Sequence, residues 1–227
     1  MDWGALKLSV WLSLATAIIL LPVGVLAARW LATSRHPLKV LLEAGLALPL
    51  VLPPTVLGYY LLVTMGGASP LGETYLRLTG HTLAFSFEGL LIASLIFNIP
   101  FALMPMQRAF EAIPLELFDA ARTCGLSRWR TLRVIELPLA WRGILSGLIM
   151  TAAHTLGEFG VVLMVGGSIP DQTKTVAISI YDSVQAFDLH AAGVMSATLL
   201  GLTTLTLLTT FWLTRARTLG APSRKAT

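Results

Sequence analysis

Long stretches of this chain carry no charged residue, and their lengths limit what it can fold into. About 20 apolar residues in a helix cross the roughly 30 Å of a bilayer's hydrocarbon. Leu8 to Ala28, Ala44 to Gly72, Gly89 to Gln107 and Ala191 to Thr214 each suffice between flanking charges. A fifth segment is less tidy: Gly143 to Gly157 is apolar except for His154, Glu158 follows, and Phe159 to Pro170 is again uncharged. The first stretch is too long for a signal-peptide core and lacks a basic n-region, so it reads as a retained helix. The expectation is an all-α integral membrane protein with five spans, at about 8–30, 44–65, 89–108, 143–166 and 191–214, in one transmembrane domain at 6–216.

Only 12% of the residues are charged, about half the share usual in soluble domains. That excludes a disordered chain, a coiled coil and an ordinary water-soluble enzyme. The single cysteine, Cys124, can form neither an internal disulfide nor a cysteine-based metal site. The formal charge of +4 is a matter of topology. Thirteen of the sixteen Lys and Arg fall in 29–43, 108–142 and 215–227, and basic loops stay cytoplasmic. The N-terminus is therefore expected outside, and the C-terminus, with a tail at 217–227, inside. The basic residues are spread over short loops without a stacking platform, which excludes nucleic acid as a partner.

The 109–142 loop is long enough to need structure or function of its own. Pro114 can open a helix that Gly125 stops, and Ser127 can cap a second, Arg128 to Glu136, ended by Pro138. A plain basic tether is the alternative. Within it, Asp119-Ala120-Ala121-Arg122-Thr123-Cys124-Gly125, nine residues and then Ile135-Glu136-Leu137-Pro138 resemble the EAA loop of ABC-importer permeases, with Asp119 in place of glutamate. Leu48-Pro49-Leu50-Val51-Leu52-Pro53-Pro54 with Gly58-Tyr59-Tyr60-Leu61-Leu62, Arg128-Trp129-Arg130, and Leu156-Gly157-Glu158-Phe159-Gly160 with Ile169-Pro170 are similar to molybdate permeases. The sulfate/thiosulfate permeases are the nearest other family.

The resemblance implies a permease subunit of a bacterial cytoplasmic-membrane importer for molybdate, with tungstate or sulfate as alternatives. It implies a second copy of the chain as partner, cytoplasmic ABC ATPase subunits that hold the ATP and Mg, and an outer oxyanion-binding protein. Asp119, Ala120, Ala121, Gly125, Arg128, Trp129, Ile135, Leu137 and Pro138 would then couple to the ATPase. No cofactor, metal or catalytic residue is assigned to this chain, which has no Gly-x-x-x-x-Gly-Lys-Ser/Thr nucleotide loop.

Pro49, Pro53 and Pro54 remove backbone donors and make either a broken helix at the pathway or a static kink. An acid in a span should face protein or water, so Glu158, between Gly157 and Gly160, reads as a packing or gating residue near the outer end of its span. His154 reads as a hydrogen-bonded structural histidine. Val176, Ile180, Val184 and Phe187 recur at helical spacing and predict an amphipathic helix at the outer surface. No Lys or Arg lies inside the five stretches, which favours a conduit over a secondary transporter that grips its anion at mid-depth.

Overall fold

The computed structural model describes residues 1–34 and 36–215; Arg35 and the expected tail at 217–227 lie outside them. Among the described residues the chain is helical without strands. Helix α1 (Trp3–Thr33) has 31 residues, about 46 Å at 1.5 Å per residue. Asp2 caps it by accepting from the Ala5 N–H at 3.0 Å. Between its buried leucines Leu12, Leu20 and Leu31, the buried face carries small and hydroxyl residues: Ser9, Ser13, Thr16, Ala17, Gly24 and Ala28. Small residues let membrane helices approach, and hydroxyls bond across the contact. Ser9 accepts from Val176 N at 2.8 Å, Ser13 donates to Ala152 O at 2.8 Å, and Thr16 donates to Ser94 at 3.2 Å. One face of α1 thus ties down three other elements.

The second expected span is two helices, α2 (Lys39–Val51) and α3 (Pro54–Met65), whose axes differ by 107°. The three prolines act differently. Pro49 sits inside α2, Pro53 occupies the break, and Pro54 opens α3, where its missing N–H has no intrahelical partner to lose. An unexpected short helix follows, α4 (Pro70–Thr79), capped by Ser69 and closed by Gly80 at φ +82°. Helix α5 (Phe87–Glu111) runs through the centre, packed on α1, α2 and α8.

Helix α6 (Leu115–Thr123) begins after Pro114 and ends at Cys124–Gly125, with Gly125 at φ +70°. Where the sequence reading ends the next helix before Pro138, the structure continues it. Helix α7 (Arg128–Thr131), capped by Ser127, runs through a π-helical turn (Leu132–Glu136) into α8 (Leu137–Gly157). In an α-helix the Pro138 ring would meet the carbonyl four residues back. The wider π turn, in which Leu137 N–H bonds Leu132 O, accommodates it.

The stretch read as one span at 143–166 is interrupted. Helix α8 stops at Gly157, Glu158 and Phe159 leave helical geometry, and α9 (Gly160–Gly166) restarts. Helix α10 (Val176–Gln185) exists, but its buried residues are Val176, Ile178 and Ser179. Of the apolar stripe expected there, Val176 is buried and Ile180 half-buried, while Val184 is 46% and Phe187 89% exposed, so only its first half packs. Helix α11 (Leu189–Arg215) completes the fold against α8 and α10. Among the described residues four helices are long and apolar enough to cross a membrane, and the bent α2–α3 pair makes a fifth if it counts as one span.

The core is α1–α5–α8. Two glycines of α8 let α5 come close: a Cβ on Gly143 would lie 2.3 Å from the Ala109 Cβ, and one on Gly147 2.6 Å from the Ala102 carbonyl oxygen. Gly147→Leu must push α5 and α8 apart and should cost about 1–3 kcal/mol, read as a lower melting temperature in detergent. An unchanged melting temperature would contradict this packing.

Candidate functional site

Two regions gather the residues singled out by sequence. The first is the α6–α8 segment. Helix α6 stands on Phe118, which packs against the core cluster of Leu31, Phe110 and Ile113, and on buried Ala121. Its other side is open. Asp119 and Arg122 are exposed and 3.4 Å apart, and Leu115 is 71% exposed. Ala120 and Gly125 are exposed as well. Past the bend, Trp129 is exposed, with the Arg133 guanidinium 4.7 Å from its ring centre. Arg128 and Pro138 are exposed, while Ile135 and Leu137 are half-buried. The nine residues therefore share one segment, with Ala121 turned inward.

The residue between Ile135 and Leu137 was not singled out. Glu136 is fully buried, and Arg29 clamps it through Nε to Oε2 at 2.5 Å and Nη2 to Oε1 at 2.8 Å. The signal available was a carboxylate inside an otherwise apolar four-residue motif, but its partner lies 107 positions away.

The second region is where the chain breaks. Gly160 meets Pro54, and a Cβ on this glycine would lie 2.8 Å from the proline Cβ. The break after α8 and the break before α3 thus touch. Pro53 adjoins that contact in sequence, whereas Pro49 is buried within α2. Gly157 is exposed with open space beside it. Glu158 is buried, 5% exposed, and accepts from Asn98 Nδ2 at 3.3 Å. Asn98 Oδ1 pairs with His154 Nδ1 at 3.0 Å, and the His154 ring stacks on Phe101 at 3.8 Å. The expected hydrogen-bonded histidine is there. Its partner Asn98, a polar residue in a long apolar run, was the missed signal. Glu158 Oε1 and Thr151 Oγ1 are buried without a hydrogen-bond partner. Among the described residues no three His, Cys, Asp or Glu side chains gather as metal ligands.

Residues 20–217 match the model of the binding-protein-dependent transport system inner membrane component family. The chain belongs to that family. Among relatives of this inner-membrane component, the molybdenum transport system permease protein ModB of Azotobacter vinelandii is 47% identical over 82% of this chain and 83% of its own length. ModB of Escherichia coli (strain K12) is 38% identical over 81% of this chain and 80% of its own. Relatives named as sulfate permeases are more distant, at 30% identity. A crystal structure of a bacterial ABC transporter involved in the import of the polysaccharide alginate matches with a TM-score of 0.76 at 14% identity. It covers 95% of this chain and 79% of that one. The permease fold is shared, and the protein is a multi-pass inner-membrane component.

At the end of the bundle far from α6, polar contacts lash α10 down. Lys174 pairs with Asp182 at 2.9 Å and Ser168 donates to the same carboxylate at 2.8 Å. Partial burial pushes Asp182 upward, but Lys174 and Ser168 outweigh it and hold its carboxyl below the usual range. Asp2 is held low first by the Ala5 N–H, against burial, and further by Ser179. A lowered folded pKa means the stabilisation is complete at neutral pH and lost as pH falls through that value. Protection of the α10 amides, as exchange relative to the intrinsic rate at each pH, should therefore hold down to about pH 4 and fall below it; a fall already near pH 6 would contradict these pairs.

Asn98→Ala strands both His154 and Glu158. It should cost about 1–3 kcal/mol, measured by thermal unfolding in detergent, and an unchanged stability would remove the structural role of the cluster.

Proposed function

We propose that this chain is the membrane-spanning subunit of an ATP-driven importer that moves molybdate inward, with tungstate a second cargo of like charge and shape. The observation that carries this reading is the 47% identity, over most of both chains, to a permease named for molybdenum transport. The absence of Lys or Arg within the five apolar stretches supports a conduit that passes a dianion without gripping it. Selection then falls to an outer oxyanion-binding protein. The greater distance of the sulfate-named relatives makes sulfate the less favoured cargo.

The N-terminus faces outward and α6 inward, following the excess of basic residues on the α6 side. Two copies of the chain enclose the pathway between them, since so few helices leave little room to wall one alone. ATP and Mg sit on separate cytoplasmic ATPase subunits. Those subunits grip the open side of α6 through Asp119, Ala120 and the Arg128–Trp129 shoulder. The Pro53–Pro54 and Gly157–Gly160 breaks, in contact with one another, form the gate region, and Glu158 and Asn98 hold its shape.

Uptake into proteoliposomes carrying the permease, the ATPase and the binding protein should require ATP and proceed with molybdate and tungstate. Transport of sulfate alone would overturn the cargo. Uptake that follows an ion gradient without the ATPase would overturn the class. Gly125 holds φ +70° in open space, a conformation a β-branched residue adopts only with strain. Gly125→Val should lower molybdate uptake while ATP hydrolysis persists, and an unchanged ratio of ATP hydrolysed to molybdate imported would remove the lever role of α6.

A further inference from the structure

The end of α1 and the α6–α7 segment do not pack flush. A cleft of about 530 Å³ opens between them, lined by Leu26, Trp30, Phe118 and Arg122, and the Arg29–Glu136 pair spans its floor. The pair is bidentate and Glu136 is wholly buried. The same guanidinium reaches the Arg128 carbonyl at 3.4 Å. One side chain of α1 therefore holds both ends of the stretch from the first residue of α7 to the last of the π-helical turn.

That stretch is where the long helix is mechanically weakest. A π turn makes one bond per residue at wider radius, and such turns collect at functional joints. Pro138, just beyond it, supplies no N–H to stiffen the junction. A push on α6 enters the rod at Arg128, directly below the joint. A free joint would absorb the push by bending. A buried carboxylate is stable only while its counter-charge stays paired, so the clamp resists that bending and carries α1 along with α8.

We infer that Arg29 is a positioning residue for the transport cycle: through its pair with Glu136 it locks the π-helical joint and makes α1 move with the ATPase-coupled segment. This inference rests on the reading of α6 as the ATPase-coupling helix. It adds two residues, one of them far from the coupling loop in sequence, to the transmission.

The test compares Glu136→Gln with the double variant Arg29→Met/Glu136→Leu in the complete reconstituted complex. The single change leaves an uncompensated cation and can weaken folding. The double change replaces the pair by apolar side chains of similar volume, which proteins tolerate well. Assembly is read from the ATPase retained on purification, and coupling from ATP hydrolysed per molybdate imported. The double variant should assemble normally, keep basal ATP hydrolysis and raise that ratio on the order of tenfold, within the range of ordinary coupling energies. Arg29→Lys, which keeps the charge but loses the fork, should fall between it and the unmodified chain. A double variant that assembles and couples normally overturns the inference, and so does one that fails to assemble, because the pair then serves folding alone. Gly125→Val run alongside separates the two readings. If Gly125→Val uncouples and the double variant does not, only the clamp is wrong; if neither uncouples, the lever reading of α6 fails with it.

Discussion

A carboxylate without access to water has to be held by its counter-charge, and in this chain that condition joins the first helix to the α6–α8 segment. Glu136 is wholly buried at the foot of α8, and Arg29 holds it with two hydrogen bonds. Arg29 lies just past the Leu8–Ala28 stretch and Glu136 shortly before the one that begins at Gly143, so the pair sets the depth of α1 and α8 relative to each other. The small residues above it then meet in register. Ser13 reaches the Ala152 carbonyl, Thr16 reaches Ser94, and Gly24 faces Met106 and Leu103. A slip of one turn, about 5.4 Å, would break all of these at once.

The opposite principle governs the far half of the bundle. In hydrocarbon, irregular backbone survives only where protein or a wet cavity satisfies it. The breaks at Pro53 and at Glu158–Phe159 are placed accordingly, one against the other through Pro54 and Gly160. Asn98 supplies the bonds that keep Glu158 and His154 in position. In the proposed cycle the stiff half would carry motion and the broken half would respond to it, an arrangement suited to opening a path from one end.

Much of this was legible in the chain. Uncharged runs mark the long helices because the cost of a charge in lipid is local and large. Ser127, Pro114 and Gly125 announce the caps and the bend because capping is a matter of neighbouring residues. The features that escaped depend on distant partners. Pro138 reads as a stop, yet the π turn before it lets the helix continue. The span at 143–166 reads as one helix, yet Asn98 and Pro54 stabilise its interruption. The stripe of Val176, Ile180, Val184 and Phe187 packs only at its start, because Ser9 and Asp2 bond to Val176 and Ser179 in the first turn and Val184 and Phe187 stay exposed. Glu136 sat inside a quoted motif without a role because Arg29 is 107 positions away.

The central claim is that α1 and the coupling helix move as one body. Paired spin labels at Thr33→Cys and Glu116→Cys, with Cys124 replaced by serine, measure it directly in the assembled complex. On adding ATP the distance between these labels within one chain should stay fixed, while that between the two Glu116→Cys labels of neighbouring copies shortens. A within-chain distance that shifts or broadens as the copies approach would show α6 swinging free of α1 and would contradict the account.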